Sequence, residues 1–232
     1  MAQNKTLSES IADQIRKRII TGEYPIDSQL PNEQDLAVSL NVSRTTIREA
    51  VKLLVSSNVL EIERGRGTFV SAIPGLSDDP LGLDFVPADR LASDLSFFRR
   101  VIEADVCALA AKNASASQLE EMDTIICGMR RLAAQTSEPP YDEDMIDNYI
   151  NTEIAFHSLV YKMSHNVIFD RLSTVIARSV VANYTTLLYR SGFNLAENCR
   201  IHENLFRAIA THDCEKARKL GEKHIEDFIR IL

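Results

Sequence analysis

Apolar positions in the first third of the chain recur at helical intervals in three successive stretches. Leu7 to Ile20 carries Ile11, Ile15, Ile19 and Ile20 on what reads as one face, and this helix ends near Thr21–Gly22. Asn32, whose short side chain can accept from the free N–H groups of a first turn, opens a second helix through Leu40. Asn41 and Val42 break it, and Ser43 caps a third helix on which Ile47, Val51 and Leu54 share a core-facing side. After a break at Ser56 to Asn58 the pattern turns extended. VLEIER, a turn at Gly65 to Gly67 and TFV predict a two-stranded hairpin. A hairpin directly after two short helices joined by a tight turn is the wing of a winged helix-turn-helix, here spanning residues 1–72.

The pattern then changes twice. Residues 73–89 hold three prolines and two glycines with no sustained period, and read as a linker with some apolar residues docked on a neighbour. Residues 90–232 read as helix throughout. Six helices are expected: Leu91 to Lys112, a second opened by a capping box at Ser117 and Glu120, Asp142 to Ser164, Asn166 to Tyr189, Asn194 to about His212, and Asp213 to Leu232. Pro139–Pro140 and Ser191–Gly192 supply two of the breaks. With such short connections the six form an antiparallel all-α bundle. The fold class is therefore mainly α, a winged helix-turn-helix followed by a helical domain.

Charge sharpens the reading of the first domain. A net charge of −7 argues against nucleic acid, but it is unevenly spread. Residues 1–72 hold nine Lys/Arg and nine Asp/Glu, leaving 17 basic against 24 acidic residues for the remainder. Within Val42 to Lys52 the basic residues Arg44, Arg48 and Lys52 face only Glu49. Their spacing of four sends three cationic arms from one side of the third helix, with Thr45 and Thr46 in its first turn. A major groove can use this arrangement, because cations neutralise phosphates and guanidinium groups pair with guanine. The same three residues would equally serve an ordinary solvated face. The hairpin tip, with Arg64 and Arg66 beside the phosphate backbone or minor groove, tips the balance toward DNA.

The run LPNEQDLAVSLNVSRTTIREAVKLLVSSNVLEIERGRGTFV resembles the DNA-binding domain of the GntR family of bacterial transcription regulators. The resemblance implies that Arg44, Thr46 and Arg48 meet bases and phosphates, and that Gly65 approaches the minor groove. Asn32, Ser43, Thr45, Lys52, Arg64 and Arg66 complete the expected DNA surface. Many members carry an Arg where this chain has Gln34, so one expected contact is weakened or replaced by an amide.

In the helical domain Glu153 and His157, four apart, share a face, while His202 and His224 lie on two later helices. A carboxylate and three imidazoles from three helices suit a divalent metal, with zinc first and nickel, iron or manganese as other fits. Solvated or core-bonded histidines would give the same spacing. Residues 89–232 resemble the FCD ligand-binding domain of the FadR-type branch, through FFRRVIEADVCALAA, EIAFH with SHN eight residues beyond its His, RIHENLFRAIATHD and EKHIEDF. That resemblance implies metal ligands at Glu153, where Asp is usual, and at His157, His202 and His224. His165 and His212 match no ligand position and are expected at the surface. Arg99 fits the Arg that faces the effector, the alternative being an ion pair with Glu103. Arg178, Tyr184 and Tyr189 are further candidates to line the pocket.

Cys107, Cys127, Cys199 and Cys214 form no C-x-x-C pair and fit reduced thiols. The start MAQNKTLSES has no apolar h-region and no apolar run approaches membrane-spanning length, so the expected compartment is the cytoplasm. The functional expectation is a homodimeric repressor-type regulator on a palindromic operator, controlled by a small carboxylate at a metal-containing pocket. Alternatives are a regulator whose signal is the metal itself, or a metalloenzyme with an accessory DNA-binding domain. The last lacks an evident base or nucleophile beside the ligands, so no enzymatic activity is expected.

Overall fold

The computed structural model describes residues 5–77, 79–135, 141–188 and 194–231, the side chains of 88, 89, 92, 178–188 and 227–231 aside. The chain divides into two compact units, Met1–Leu81 and Gly82–Leu232. Of the stretch read as linker, residues 73–76 are tied to the first unit: Gly75 N–H donates to the Asn58 carbonyl at 2.9 Å, and the Asn58 amide donates to the Leu76 carbonyl at 3.2 Å.

The first unit contains α1 (Leu7–Ile20), α2 (Glu33–Ser39), α3 (Arg44–Ser56), β1 (Leu60–Glu63) and β2 (Gly67–Val70). Each helix begins where a short polar side chain satisfies its free N–H groups. Thr6 and Glu9 form a reciprocal capping box on α1, Asn32 accepts from Gln34 and Asp35 on α2, and Ser43 accepts from Thr46 at 3.1 Å on α3. Asn41 turns the chain between α2 and α3 with a φ of 52°, a conformation Asn tolerates better than other side-chain-bearing residues. Ile11 and Ile15 meet Leu36, Ile47, Val51, Leu54, Leu60 and Val70 in one core. Ile20 does not join them. It is 77% exposed, because nine residues after Ile11 is two and a half turns at 3.6 residues per turn, which puts it on the opposite side.

The two strands pair antiparallel, Leu60 opposite Val70 and Glu63 opposite Gly67. An additional edge, not expected from the pattern, comes from the segment before α2. Leu30 N–H donates to the Thr68 carbonyl at 2.8 Å and Val70 N–H to the Ser28 carbonyl at 2.9 Å, with Gln29 bridged to Phe69. Gly67 makes this approach feasible, since a Cβ there would stand 2.5 Å from Gln29 Nε2, and its φ of 132° suits glycine alone.

The second unit holds α4 (Ala88–Asn113), α5 (Ala116–Gln135), α6 (Glu143–Met163), α7 (Val167–Leu188), α8 (Leu195–Ala210) and α9 (Cys214–Ile231). Helix α4 packs on α9, α6, α7 and α8, while α5 lies against α6 and α8. The capping box on α5 sits two residues before the expected one. Ser115 Oγ accepts from Gln118 N–H at 3.3 Å and Gln118 Oε1 accepts from Ser115 N–H at 3.0 Å, so Ser117 and Glu120 already lie inside the helix. Asp142 and Asn194 cap α6 and α8 as the sequence implies. The breaks at Pro139–Pro140 and Ser191–Gly192 lie outside the described residues. Val106, Met122, Ile126, Phe156, Leu205 and Ile209 are among the buried side chains of a core that the helices share.

Candidate functional site

The first unit presents its cations on one helix and one turn. Arg44, Thr45, Arg48 and Lys52 on α3 are exposed, as are Gln34 at the start of α2 and Arg64, Gly65 and Arg66 at the hairpin tip. Their immediate surroundings differ. Arg48 Nη2 lies 3.2 Å and Nε 3.4 Å from the two Glu33 oxygens, and Lys52 Nζ lies 2.9 Å from Glu49. Arg66 pairs with Glu63 and sits over the Phe69 ring at 5.2 Å. Arg44 and Arg64 make no ion pair among the described residues. Ser43 and Thr46 share a hydroxyl contact of 2.8 Å within the cap, and Asn32 gives its amide to Asp35, so these three side chains also build the helix starts.

The second unit brings its four candidate ligands together. His157 on α6, His202 on α8 and His224 on α9 are all buried, with one ring nitrogen from each inside a 4.8 Å span. Glu153, one turn before His157, places Oε2 3.2 Å from His202 Nε2 and 3.7 Å from His157 Nε2. His202 Nδ1 stands 2.8 Å from the Asn198 carbonyl, an acceptor that commits this nitrogen to carrying the proton. In its neutral form His202 therefore turns a lone pair on Nε2 toward a carboxylate oxygen. Neither Glu153 Oε2 nor His202 Nε2 has a hydrogen-bond partner among the described residues.

Two buried lone-pair atoms at this separation call for a cation between them. A proton on His202 answers that need for one pair only. Burial pulls the His202 imidazole down, yet Glu153 and the Asn198 carbonyl together lift it above its ordinary value. His157 and His224 are held well below theirs by burial and by neighbouring positive charge, so both stay neutral and keep lone pairs to offer. Their Nε2 atoms face each other at 3.4 Å. Three imidazole nitrogens form a donor set that could hold a divalent transition metal, with the Glu153 carboxylate beside two of them.

Arg99 on α4 borders this cluster. Its Nη2 lies 3.4 Å from His157 Nε2, and its Nε donates to Glu103 Oε1 at 2.6 Å, both residues being buried. The two readings of Arg99 are therefore compatible, since the guanidinium pairs with Glu103 along its own helix and still faces the histidines. His165 and His212 stand apart and exposed, bonded to Gln118 and to the Ala111 carbonyl. The side chains of Arg178 and Tyr184, and the whole of Tyr189, lie outside the described residues.

Family comparison accounts for both halves. Residues 7–70 match the model described as bacterial regulatory proteins, gntR family, and residues 94–227 match the FCD domain. This chain is a gntR-family regulator with an FCD domain. As such it is a DNA-binding transcription regulator and not an enzyme. Similar proteins include the galactonate operon transcriptional repressor of Escherichia coli (strain K12), 27% identical over 94% of this chain and 93% of that one. The putative L-lactate dehydrogenase operon regulatory protein of the same strain is 27% identical over 95% and 84%. A solved Streptococcus agalactiae GntR structure aligns with a TM-score of 0.80 at 29% identity, over 96% of this chain and 99% of that one. In the described residues of this gntR-family chain no helix is long and apolar enough to cross a membrane.

Three buried polar residues around the cluster, Asn198, Tyr149 and Tyr161, escape a search for ligand spacings. The Asn198 amide donates to Tyr149 Oη at 2.5 Å and to Glu153 Oε1 at 2.8 Å. Glu103 holds Arg99, and Tyr161 follows His157 by one turn, its phenol pushed up by burial and by Glu103. A signal was present. Tyr149, Glu153, His157 and Tyr161 are spaced by four along α6, Asn198 precedes His202 by four, and Arg99 precedes Glu103 by four. A polar stripe at helical spacing inside an otherwise apolar helix marks a lined site, even where only some members are ligands.

Proposed function

We propose that this regulator binds a palindromic operator as a homodimer through α3 and the hairpin, under the control of a small hydroxy carboxylate held at the metal cluster and Arg99. Glu153, His157, His202 and His224 would hold the ion, zinc being the first fit for three imidazoles and a carboxylate, and its chemistry here is to provide a buried positive centre for an anion. Charge balance carries the proposal. A divalent ion and Arg99 together exceed Glu153 and Glu103 by one positive charge, in a site closed from solvent. Unbalanced buried charge is costly, and one carboxylate restores neutrality. Arg99 suits that partner, because a planar guanidinium can give two parallel hydrogen bonds to a carboxylate.

The chemical class follows from the relatives in part. Regulators named for galactonate and L-lactate operons point to carboxylic acids that also carry hydroxyl groups. In a homodimer two copies of α3 enter successive major grooves, so the protein's twofold axis matches that of the site. Occupation of the pocket changes operator affinity only through its different affinity for the two arrangements of the dimer. The test is a thermal-shift screen of galactonate, L-lactate and related hydroxy acids on zinc-loaded and chelator-treated protein, followed by operator titration. Stabilisation that requires zinc and is lost in Arg99→Ala supports the proposal. An effector that acts equally well on Arg99→Ala rejects this pocket, and zinc alone altering operator affinity would make the ion the signal.

A further inference from the structure

We infer that Asn198 is the positioning residue of the metal cluster, orienting one carboxylate and one imidazole at once. The inference rests on the metal reading above. Asn198 is buried on α8 and both of its polar ends are used for the site. Its side-chain amide donates to Glu153 Oε1 at 2.8 Å and to Tyr149 Oη at 2.5 Å. Its backbone carbonyl accepts from His202 Nδ1 at 2.8 Å.

The geometry leaves little choice of orientation. An amide nitrogen has two protons, and here one faces the Glu153 carboxylate and the other the Tyr149 oxygen. Flipping the amide would set its oxygen against a carboxylate, two acceptors with no proton between them in a buried site. With Oε1 tied to Asn198, the rest of the Glu153 carboxylate is directed at the cluster, and Oε2 comes to lie 3.2 Å from His202 Nε2. The backbone contact completes the device. By holding the His202 proton on Nδ1, it leaves Nε2 as the atom that faces Glu153 Oε2. Glu153 and His202 sit on different helices, α6 and α8, so Asn198 also ties those two helices at the level of the ligands.

Contacts of this kind typically alter metal affinity by 10- to 100-fold when removed. The experiment is a double-mutant cycle on the full chain, stripped of metal and titrated with zinc against a chromophoric chelator. Asn198→Leu removes both donors and keeps the backbone carbonyl. The expected result is a zinc affinity roughly 10- to 100-fold below the unmutated chain. In a Glu153→Ala background, where the carboxylate to be aimed is gone, Asn198→Leu should cost only a small part of that factor. Equal costs in both backgrounds would show a general structural role and overturn the inference, as would Asn198→Leu binding zinc like the unmutated chain. Circular dichroism of the metal-free proteins checks folding. If Asn198→Leu fails to fold, Asn198→Asp replaces it in the same cycle, keeping the shape while turning the contact with Glu153 Oε1 into acceptor against acceptor. No zinc uptake by the unmutated chain would reject the metal reading itself, a separate result from failure of the cycle.

Discussion

Arg48 rests against Glu33, so a phosphate or base edge that takes its guanidinium must displace a carboxylate. That competition affects all DNA sequences, whereas a bidentate contact to a guanine is gained only at the right one. Glu33→Ala removes the competitor and one negative charge from the surface proposed to meet DNA. The expected outcome is tighter binding to random-sequence duplex, followed by fluorescence anisotropy across a salt series, with a narrower gap between operator and random DNA. Arg48→Ala should cost about 1–3 kcal/mol at the operator if the side chain reads a base. If it meets only phosphate, the loss will be uniform across sequences and the salt dependence will fall by about one counterion. In the other unit, His202→Ala deletes one of the proposed ligands, so on that reading zinc affinity should fall by at least the ~10–100-fold seen when mere supporting contacts are removed.

At the scale of elements, the site depends on how closely α9 approaches α4. A Cβ on Gly221 would stand 2.7 Å from Cys107 Sγ, 3.1 Å from Cys107 Cβ and 3.3 Å from the Glu103 carbonyl. Gly221→Ala should therefore push α9 off α4, costing about 1–3 kcal/mol by urea denaturation, and should weaken zinc binding because His224 travels with α9. Cys107→Ala added to it removes the closest atom and should restore part of the loss. This close approach was not legible in the chain, where Gly221 reads only as a weak point in a helix. What was legible is local. Asn32, Ser43, Asp142 and Asn194 announce helix starts because a cap is a bond between neighbours in sequence. Ser115 was missed for Ser117 because both stand three residues before a residue able to complete the box, Gln118 or Glu120, and only the chain path decides between them. The extra edge at Gln29 and the partnership of Asn198 with Glu153 join residues far apart in sequence, where no period or spacing points from one to the other. The histidines fall between these cases, since each sits at a helical position that can be read, but their convergence is a property of three packed helices.

For the whole molecule, the question is whether events at the cluster are felt at α3. The two units have separate cores, so each should unfold as a cooperative body, and the tyrosines distinguish them. The chain has no tryptophan, and of its six tyrosines only Tyr24 precedes Gly82, so near-ultraviolet circular dichroism chiefly follows the second unit. Removing zinc with a chelator should lower the tyrosine-detected transition, while zinc at a hundred times its Kd contributes about 2.7 kcal/mol to that unit. A hydroxy acid that occupies the pocket should raise the same transition further in zinc-loaded protein and leave the chelated protein unchanged. Coupling to DNA then becomes a matter of reciprocity. If the acid changes operator affinity by some factor, saturating operator must change the affinity for the acid by that same factor, and both can be measured on one preparation. A ligand that raises the tyrosine transition but leaves operator affinity untouched would show that the pocket binds without regulating, and the two units would then have to be treated as energetically independent.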